Sequence, residues 1–90
     1  MKPFNWNEDK NIALKRERGI GFEEILLSIL GDGLLDVVEH HNRARYPNQL
    51  IFIVWINDYV YAVPFVENNN EIFLKTIIPS RKMKKKYLRG

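Results

Sequence analysis

The 90-residue sequence contains no cysteine and only two serines, and these shortages exclude several kinds of site. Without cysteine there is neither a disulfide framework nor a thiolate metal site. Ser28 lies inside an apolar segment, Ser80 is a candidate helix cap, and neither belongs to a G-x-S-x-G motif. The GIG stretch at 19–21 follows a predicted helix rather than a strand, so it lacks the context of a phosphate-binding loop. Nucleophilic serine or cysteine catalysis is not predicted.

Long hydrophobic runs are also lacking. The first ten residues, MKPFNWNEDK, contain no apolar stretch of the signal-peptide type. The longest apolar run, LIFIVWI at 50–56, is far too short to span a bilayer. We therefore expect a cytoplasmic protein without membrane association.

Acidic residues are missing from one end of the chain. Residues 75–90 carry seven Lys/Arg and no Asp/Glu, whereas residues 1–74 carry seven Lys/Arg against eleven Asp/Glu. The formal net charge of +3 thus divides into −4 for the body and +7 for the end. A mildly acidic body with a concentrated basic end favours a polyanionic partner.

Two helices are predicted in the first third. Asn5 or Asn7 can cap the first helix, and Gly19 offers a left-handed stop after a basic last turn. Apolar residues at helical spacing, beginning with Phe22, predict a second helix over 22–30 that faces the core. The first helix has only a thin apolar stripe, so much of it should face water.

The remaining residues predict strands and one short helix. Asn57-Asp58 is a two-residue hairpin signal, and Pro64 indicates an edge or a bulge. Pro79 should end the last strand, and Ser80 can cap a final basic helix over 81–88. The four predicted strands are 34–41, 50–56, 59–66 and 72–78. Together these elements predict one α+β domain, residues 1–90, with two N-terminal helices packed on a four-stranded antiparallel sheet and a short C-terminal basic helix.

His40 and His41, with acidic residues nearby, raise the possibility of a metal site. Adjacent residues of a strand point to opposite faces, so both imidazoles would not easily reach one ion. No metal or cofactor is predicted.

The basic end offers a more specific chemistry. Lys75 lies mid-strand, Arg81 follows the turn, and Tyr87 adds an aromatic ring. Cations neutralise phosphate and stabilise the additional charge of a phosphorane transition state, and an aromatic ring stacks on an unpaired base. Two other interpretations stay open: a solvated helix whose lysines complement the helix dipole, and an edge-strand lysine that discourages aggregation.

The two ends of the chain resemble one known family. F4-N-W6-N7-x-x-K10-N11, followed by R18-G19-I20-x-F22-E23-E24, is similar to the opening of BrnT-type toxins of the RelE/ParE superfamily. The family's ending, a last strand running into I-I-S-A-R and a basic tyrosine-containing tail, is similar to I77-I78-P79-S80-R81 and the residues up to Tyr87. The middle, residues 31–70, agrees only in its strand pattern.

The resemblance implies a RelE-like fold and a type II toxin. Such a toxin is a metal-independent endoribonuclease that inhibits translation, acts on RNA such as ribosome-bound mRNA, and is neutralised by a cognate antitoxin. The antitoxin would be a DNA-binding protein, of the ribbon-helix-helix type. Superfamily relatives also include gyrase poisons, so a DNA-acting or nicking toxin is an alternative. A non-catalytic corepressor that binds the antitoxin is another.

The resemblance also implies roles for particular residues. Arg81, Lys75 and Tyr87 correspond to the catalytic positions, with Arg81 stabilising phosphoryl charge. Lys10 corresponds to the lysine of the family's first helix and would bind nucleic acid. The remaining nucleic-acid-binding residues would be the lysines of the tail, Lys82, Lys84, Lys85 and Lys86.

Overall fold

The α+β prediction is confirmed by a computed structural model, which describes residues 2–88. Arg89, which contributes to the basic end, lies outside these residues. In chain order the elements are β1 (Phe4–Trp6), α1 (Glu8–Arg18), α2 (Phe22–Leu30), β2 (Leu34–Glu39), β3 (Gln49–Ile56), β4 (Tyr59–Glu67), β5 (Ile72–Leu74), β6 (Ile78–Pro79) and α3 (Arg81–Tyr87). Within residues 2–88 no helix has the length and apolar character needed to cross a bilayer.

The sheet differs from the prediction of four antiparallel strands. It has six strands in the order β1-β5-β4-β3-β2, with β6 also paired to β4. The pairing is mixed, because β1 runs parallel to β5 while the other neighbours are antiparallel. The three residues of β1 are too few to show a strand period, and a parallel partner 68 positions away (Phe4 beside Ile72) leaves no local signal.

The predicted last strand, 72–78, is divided into β5 and β6 by an irregularity opposite Pro64. The Lys75 N–H donates to the Pro64 carbonyl oxygen at 2.8 Å, but proline has no N–H to return. The pairing then shifts by one residue, since Leu74 lies opposite Phe65 whereas Ile78 lies opposite Ala62. Pro64 therefore sits in a central strand beside a bulge, and Lys75 lies after β5 rather than in the middle of a strand.

Local capping produces the two N-terminal helices as predicted. The Asn7 side chain accepts from the Lys10 N–H at 3.0 Å, and Gly19 ends α1 with φ 72°. The N terminus of α2 is capped from α1: the fully buried Asn11 accepts from the Phe22 N–H at 2.7 Å through Oδ1. The Asn11 amide also donates to Glu23 at 3.0 Å, so one side chain joins the two helices.

Helices α1 and α2 pack on one face of the sheet, as predicted, and enclose the main core. Leu14 of α1 and Phe22 and Ile25 of α2 lie in that core. The strands contribute Phe52, Val54, Val63, Phe65 and Leu74, and the segment between β5 and β6 contributes Ile77. The outer side of α2 remains open, because Leu27 is 71% and Leu30 is 56% exposed. Leu30 therefore does not join the core stripe, although its spacing suggested that it would.

Helix α3 lies on the opposite side of the sheet, which we call the second face. Strand alternation directs Ile53 and Val60 to the second face, and both are fully buried although neither belongs to the main core. Helix α3 contacts β4 and reaches β2 through a side-chain hydrogen bond. The sheet is therefore a middle layer between the N-terminal helices and the basic helix.

Candidate nucleic-acid interface

The basic helix α3 is formed by local signals at its start. The Ser80 hydroxyl accepts from the Met83 N–H at 3.2 Å, which confirms the predicted cap. The preceding Ser80 N–H donates to the Val60 carbonyl oxygen at 2.9 Å, so the cap itself is tied to β4. Lysines occupy the last turn, where the helix dipole favours cations.

The basic residues of the C-terminal end form no ion pair with a carboxylate within the part of the chain that the structure describes. The ion pairs found there are Lys2 with Glu67, Lys15 with Glu23, and Arg43 with Glu39. They involve none of the basic residues Lys75, Arg81, Lys82, Lys84, Lys85 and Lys86. Lys86 acts on the Asp36 carboxyl at longer range and helps to lower its pKa, but the six cations still leave a large excess of positive charge, which attracts a polyanion such as a phosphate backbone.

Three of these lysines lie near aromatic rings, and two of the three belong to α3. The Lys84 Nζ is 5.1 Å from the centre of the Tyr59 ring, and the Lys86 Nζ is 5.2 Å from that of Tyr87. Cation–π contacts at such exposed sites contribute only about 0.5–1 kcal/mol. A phosphate group can therefore take the place of either ring beside the ammonium group. Both ammonium groups thus remain available to an anion.

Tyr87 is fixed by Asp36, a residue that the sequence did not single out for this site. The Tyr87 hydroxyl donates to Asp36 Oδ2 at 2.6 Å, which links α3 to β2. That hydrogen bond raises the pKa of Tyr87 and, with the Val37 N–H as a second donor, lowers the pKa of Asp36. The proton therefore stays on Tyr87 across the neutral range, so the phenol is a proton donor rather than a base.

Lys75 lies well away from Tyr87. The register forms one row across the second face through Asp36, Ile53 and Ala62, and the next row runs through Val38, Ile51, Pro64 and Lys75. To go from Asp36 to Lys75 one crosses from β2 to the segment after β5, which is three strand spacings, and moves two residues along the strands. The backbones of the two residues are therefore about 16 Å apart. Lys75 and Tyr87 therefore do not face the same phosphate, although both point to the second face.

Lys10 lies in a different layer from the other predicted nucleic-acid-binding residues. It is an exposed residue of α1, and α1 packs on the face of the sheet opposite α3. A single nucleic-acid strand that follows α3 would not pass Lys10 unless it also wrapped around the edge of the sheet.

His40 and His41 adopt a different arrangement from the one predicted. Strand β2 ends at Glu39, so the two histidines do not alternate across a sheet. Their rings stack with centres 4.6 Å apart, and the Tyr46 ring packs on His40 at 4.5 Å. His40 Nδ1 accepts from the Asn42 N–H at 3.0 Å, which gives this ring a role in shaping the loop. Residues 2–88 contain no group of three or more metal-binding side chains.

An open groove of about 690 Å³ lies beside this loop, at the end of the sheet remote from α3. Its walls include Tyr46, Gln49 and the cations Lys2 and Arg43. Each of the two cations is already paired with a carboxylate, at 2.7 and 2.8 Å. The groove is therefore less suited to a polyanion than the surface of α3.

Comparison with known proteins adds no assignment. The chain matches no family model, no curated protein and no solved structure.

Proposed function

We propose that this protein is a type II toxin that cleaves RNA without a metal ion and is neutralised by a cognate antitoxin. The observation that carries the proposal is the row of cations from Lys75 to Lys86 without carboxylate partners among the described residues. Such a surface binds a phosphate backbone, and counterion release makes that binding strong at low salt. The resemblance of both chain ends to BrnT-type toxins, and through it to a RelE-like fold, supports the same proposal.

The proposed reaction is attack by a ribose 2′-oxygen on the adjacent phosphorus. The new P–O2′ bond forms, the P–O5′ bond breaks, and the products carry a 2′,3′-cyclic phosphate and a 5′-hydroxyl. The 2′-hydroxyl proton passes to water. Arg81 stabilises the negative charge that develops on the phosphoryl oxygens, because a guanidinium can donate two parallel hydrogen bonds to them.

Tyr87 supplies the proton that the leaving 5′-oxygen requires. Its raised pKa keeps the phenol protonated at neutral pH, and Asp36 holds its ring at the end of α3. During the reaction the hydroxyl exchanges Asp36 for the leaving oxygen. Lys75, whose backbone lies about 16 Å from that of Asp36 by the spacing of the sheet, then binds a neighbouring phosphate rather than the reacting one.

The test is a cell-free cleavage assay with labelled mRNA, in EDTA, with and without ribosomes. Wild-type protein should cleave, and Arg81→Ala should cleave at least about 100-fold more slowly, the loss typical of one transition-state charge donor. Arg16→Ala is the matched control, because Arg16 is an exposed arginine of α1 on the opposite side of the sheet. It should cleave at the wild-type rate.

Two outcomes would overturn the proposal. Intact RNA in every reaction would exclude an endoribonuclease and favour a corepressor that only binds the antitoxin. Cleavage or nicking of a DNA of the same sequence would also contradict it, because DNA lacks the attacking 2′-hydroxyl, and would favour the DNA-acting alternative.

A further inference from the structure

The second face has an uncovered part beside the basic helix. The Ser80 cap of α3 lies beside Val60 of β4, and the helix ends near Asp36 of β2, so it crosses the sheet over the fully buried Ile53. The following rows of the same face are not covered by it. Of their apolar residues Pro64 is buried, whereas Val38, Ile51, Val66 and Phe73 are half-buried, and we call these four the open strip.

Phe73 is the aromatic member of the open strip, and a cation lies beside it. The register places Phe73 next to Val66, and Lys75 follows two residues later on the same side of the chain. The Lys75 Nζ is 5.6 Å from the centre of the Phe73 ring, and the Lys75 side chain is exposed. The ammonium group lies over the ring, so a base that stacks there takes its place while the phosphate of that nucleotide meets the displaced cation; the pair thus has the components that hold one nucleotide.

The charges around the open strip give a nucleic acid only one favourable direction. Beyond Phe73, before β5, Glu71 accepts from the neutral Asn5 side chain and keeps its negative charge, whereas the charge of Glu67 is balanced by Lys2, so that end repels phosphate through Glu71. In the other direction lie Lys75 and then the unpaired cations of α3. A strand whose base stacks on Phe73 would therefore run toward α3.

We propose that Phe73 is the stacking platform for an unpaired base, and that the substrate is consequently a single-stranded segment of RNA. The inference rests on the proposed function, since the strand that stacks here is the one cleaved near Arg81 and Tyr87. A base paired within a duplex presents only its edges in a groove, so duplex RNA cannot stack on Phe73.

The test measures binding by fluorescence anisotropy with a labelled 12-nucleotide 2′-O-methyl RNA, which cannot be cleaved because its 2′-oxygen is blocked. The same strand annealed to its complement is the duplex probe. Phe73→Leu should bind the single strand about 5- to 150-fold more weakly than wild type, the range for loss of one base–aromatic stack. Its binding to the duplex should change less than about twofold, because the cations are intact.

Two further variants control for folding. Phe4→Leu makes the same substitution in the neighbouring strand, on the face covered by α1 and α2, where Phe4 packs against the main core. It should bind the single strand as wild type does. Phe73→Trp retains a ring at the site and should bind at least as tightly as wild type, which a merely destabilising change would not do.

The outcomes separate this inference from the proposed function. Wild-type affinity of Phe73→Leu for the single strand would refute the stacking site, while cleavage that depends on Arg81 would leave the RNase proposal standing. Equal losses of affinity of Phe73→Leu for the single-stranded and duplex probes would also refute it, because the bases of the duplex are not exposed and cannot stack on the ring. If the wild-type protein bound neither probe, both the stacking site and the proposed function would fail.

Discussion

Asn11 should be the most sensitive polar position of the fold, because it joins α1 to the start of α2. Its Oδ1 accepts from the buried Phe22 N–H at 2.7 Å, and its amide donates to the Glu23 carboxylate at 3.0 Å. The hydrogen bond from Asn11 is the largest of the contributions that lower the pKa of Glu23. Substituting Asn11→Ala would leave the Phe22 N–H without its acceptor in a fully buried position.

The cost of this change can be worked out from its parts. A buried donor that loses its partner costs about 1–3 kcal/mol. The Glu23 carboxylate is half exposed, so water replaces the lost amide and this part adds only about 0.5–1 kcal/mol. Alanine's better helix propensity returns about 0.5 kcal/mol. The net loss is about 2 kcal/mol, which corresponds to a fall in Tm of about 8–16 °C for a domain of this size.

The assay is thermal unfolding followed by circular dichroism at pH 7. Asn7→Ala is the matched control, because Asn7 caps α1 at an exposed site and its removal should cost only about 1 kcal/mol. Asn11→Asp keeps the acceptor but places a second carboxylate beside Glu23, so it should be destabilised at pH 7 and partly recover near pH 4. A Tm for Asn11→Ala within about 2 °C of wild type would refute the assigned role of Asn11.

Three further predictions concern the glycine turn and the contact between α3 and β2. Gly33→Ala should lower the Tm by several degrees, because the added Cβ would lie 2.8 Å from the Trp55 carbonyl oxygen and would collide with the Ser28 hydroxyl. A thermal unfolding curve unchanged from wild type would contradict this. Asp36→Asn should lower the pKa of one tyrosine in an ultraviolet titration, because the Asp36 carboxylate holds that of Tyr87 above its ordinary value; unchanged titration would exclude the contact. The free energy of unfolding should differ most between wild type and Tyr87→Phe from about pH 4 to pH 10. Below this range Asp36, whose pKa is lowered in the folded protein, becomes protonated and its stabilising contribution is lost. Above this range Tyr87, whose pKa is raised in the folded protein, loses its proton and the hydrogen bond is lost with it. Urea unfolding across this range measures the difference in free energy, and a difference independent of pH would contradict the hydrogen bond.

The features predicted correctly from the sequence are those with local causes. Asn7 caps the helix that follows it within three residues, and Gly19 ends the same helix with the positive φ that glycine allows. Asn57 and Asp58 adopt φ 51° and 63°, as a two-residue hairpin turn requires. Ser80 caps α3 in the same way, so the start of the candidate site was also visible before the structure. In each of these cases the residue and its effect are only a few positions apart.

The features that sequence analysis missed depend on partners that are distant in the chain. The bulge opposite Pro64 could be suspected from the proline, but its consequence, the division of the last strand, requires knowing which strand pairs there. In the sequence Phe73 is one apolar residue among several in its strand, and only the tertiary structure shows that it lies half-buried on the second face beside Val66. The same packing separates Lys75 from Tyr87, although the two are only twelve residues apart in the chain.

The sequence by itself determined the α+β composition, the ends of the helices, the hairpin turn and the concentration of positive charge in the last sixteen residues. Hydrophobic periodicity, capping and charge are properties of short segments, so they persist whatever the rest of the chain does. Only the tertiary structure decided that α3 lies on the face opposite α1 and α2, and that its tyrosine meets Asp36, 51 positions earlier. Burial of Ile53 and Val60 stabilises that docking, and burial depends on all the layers being present together.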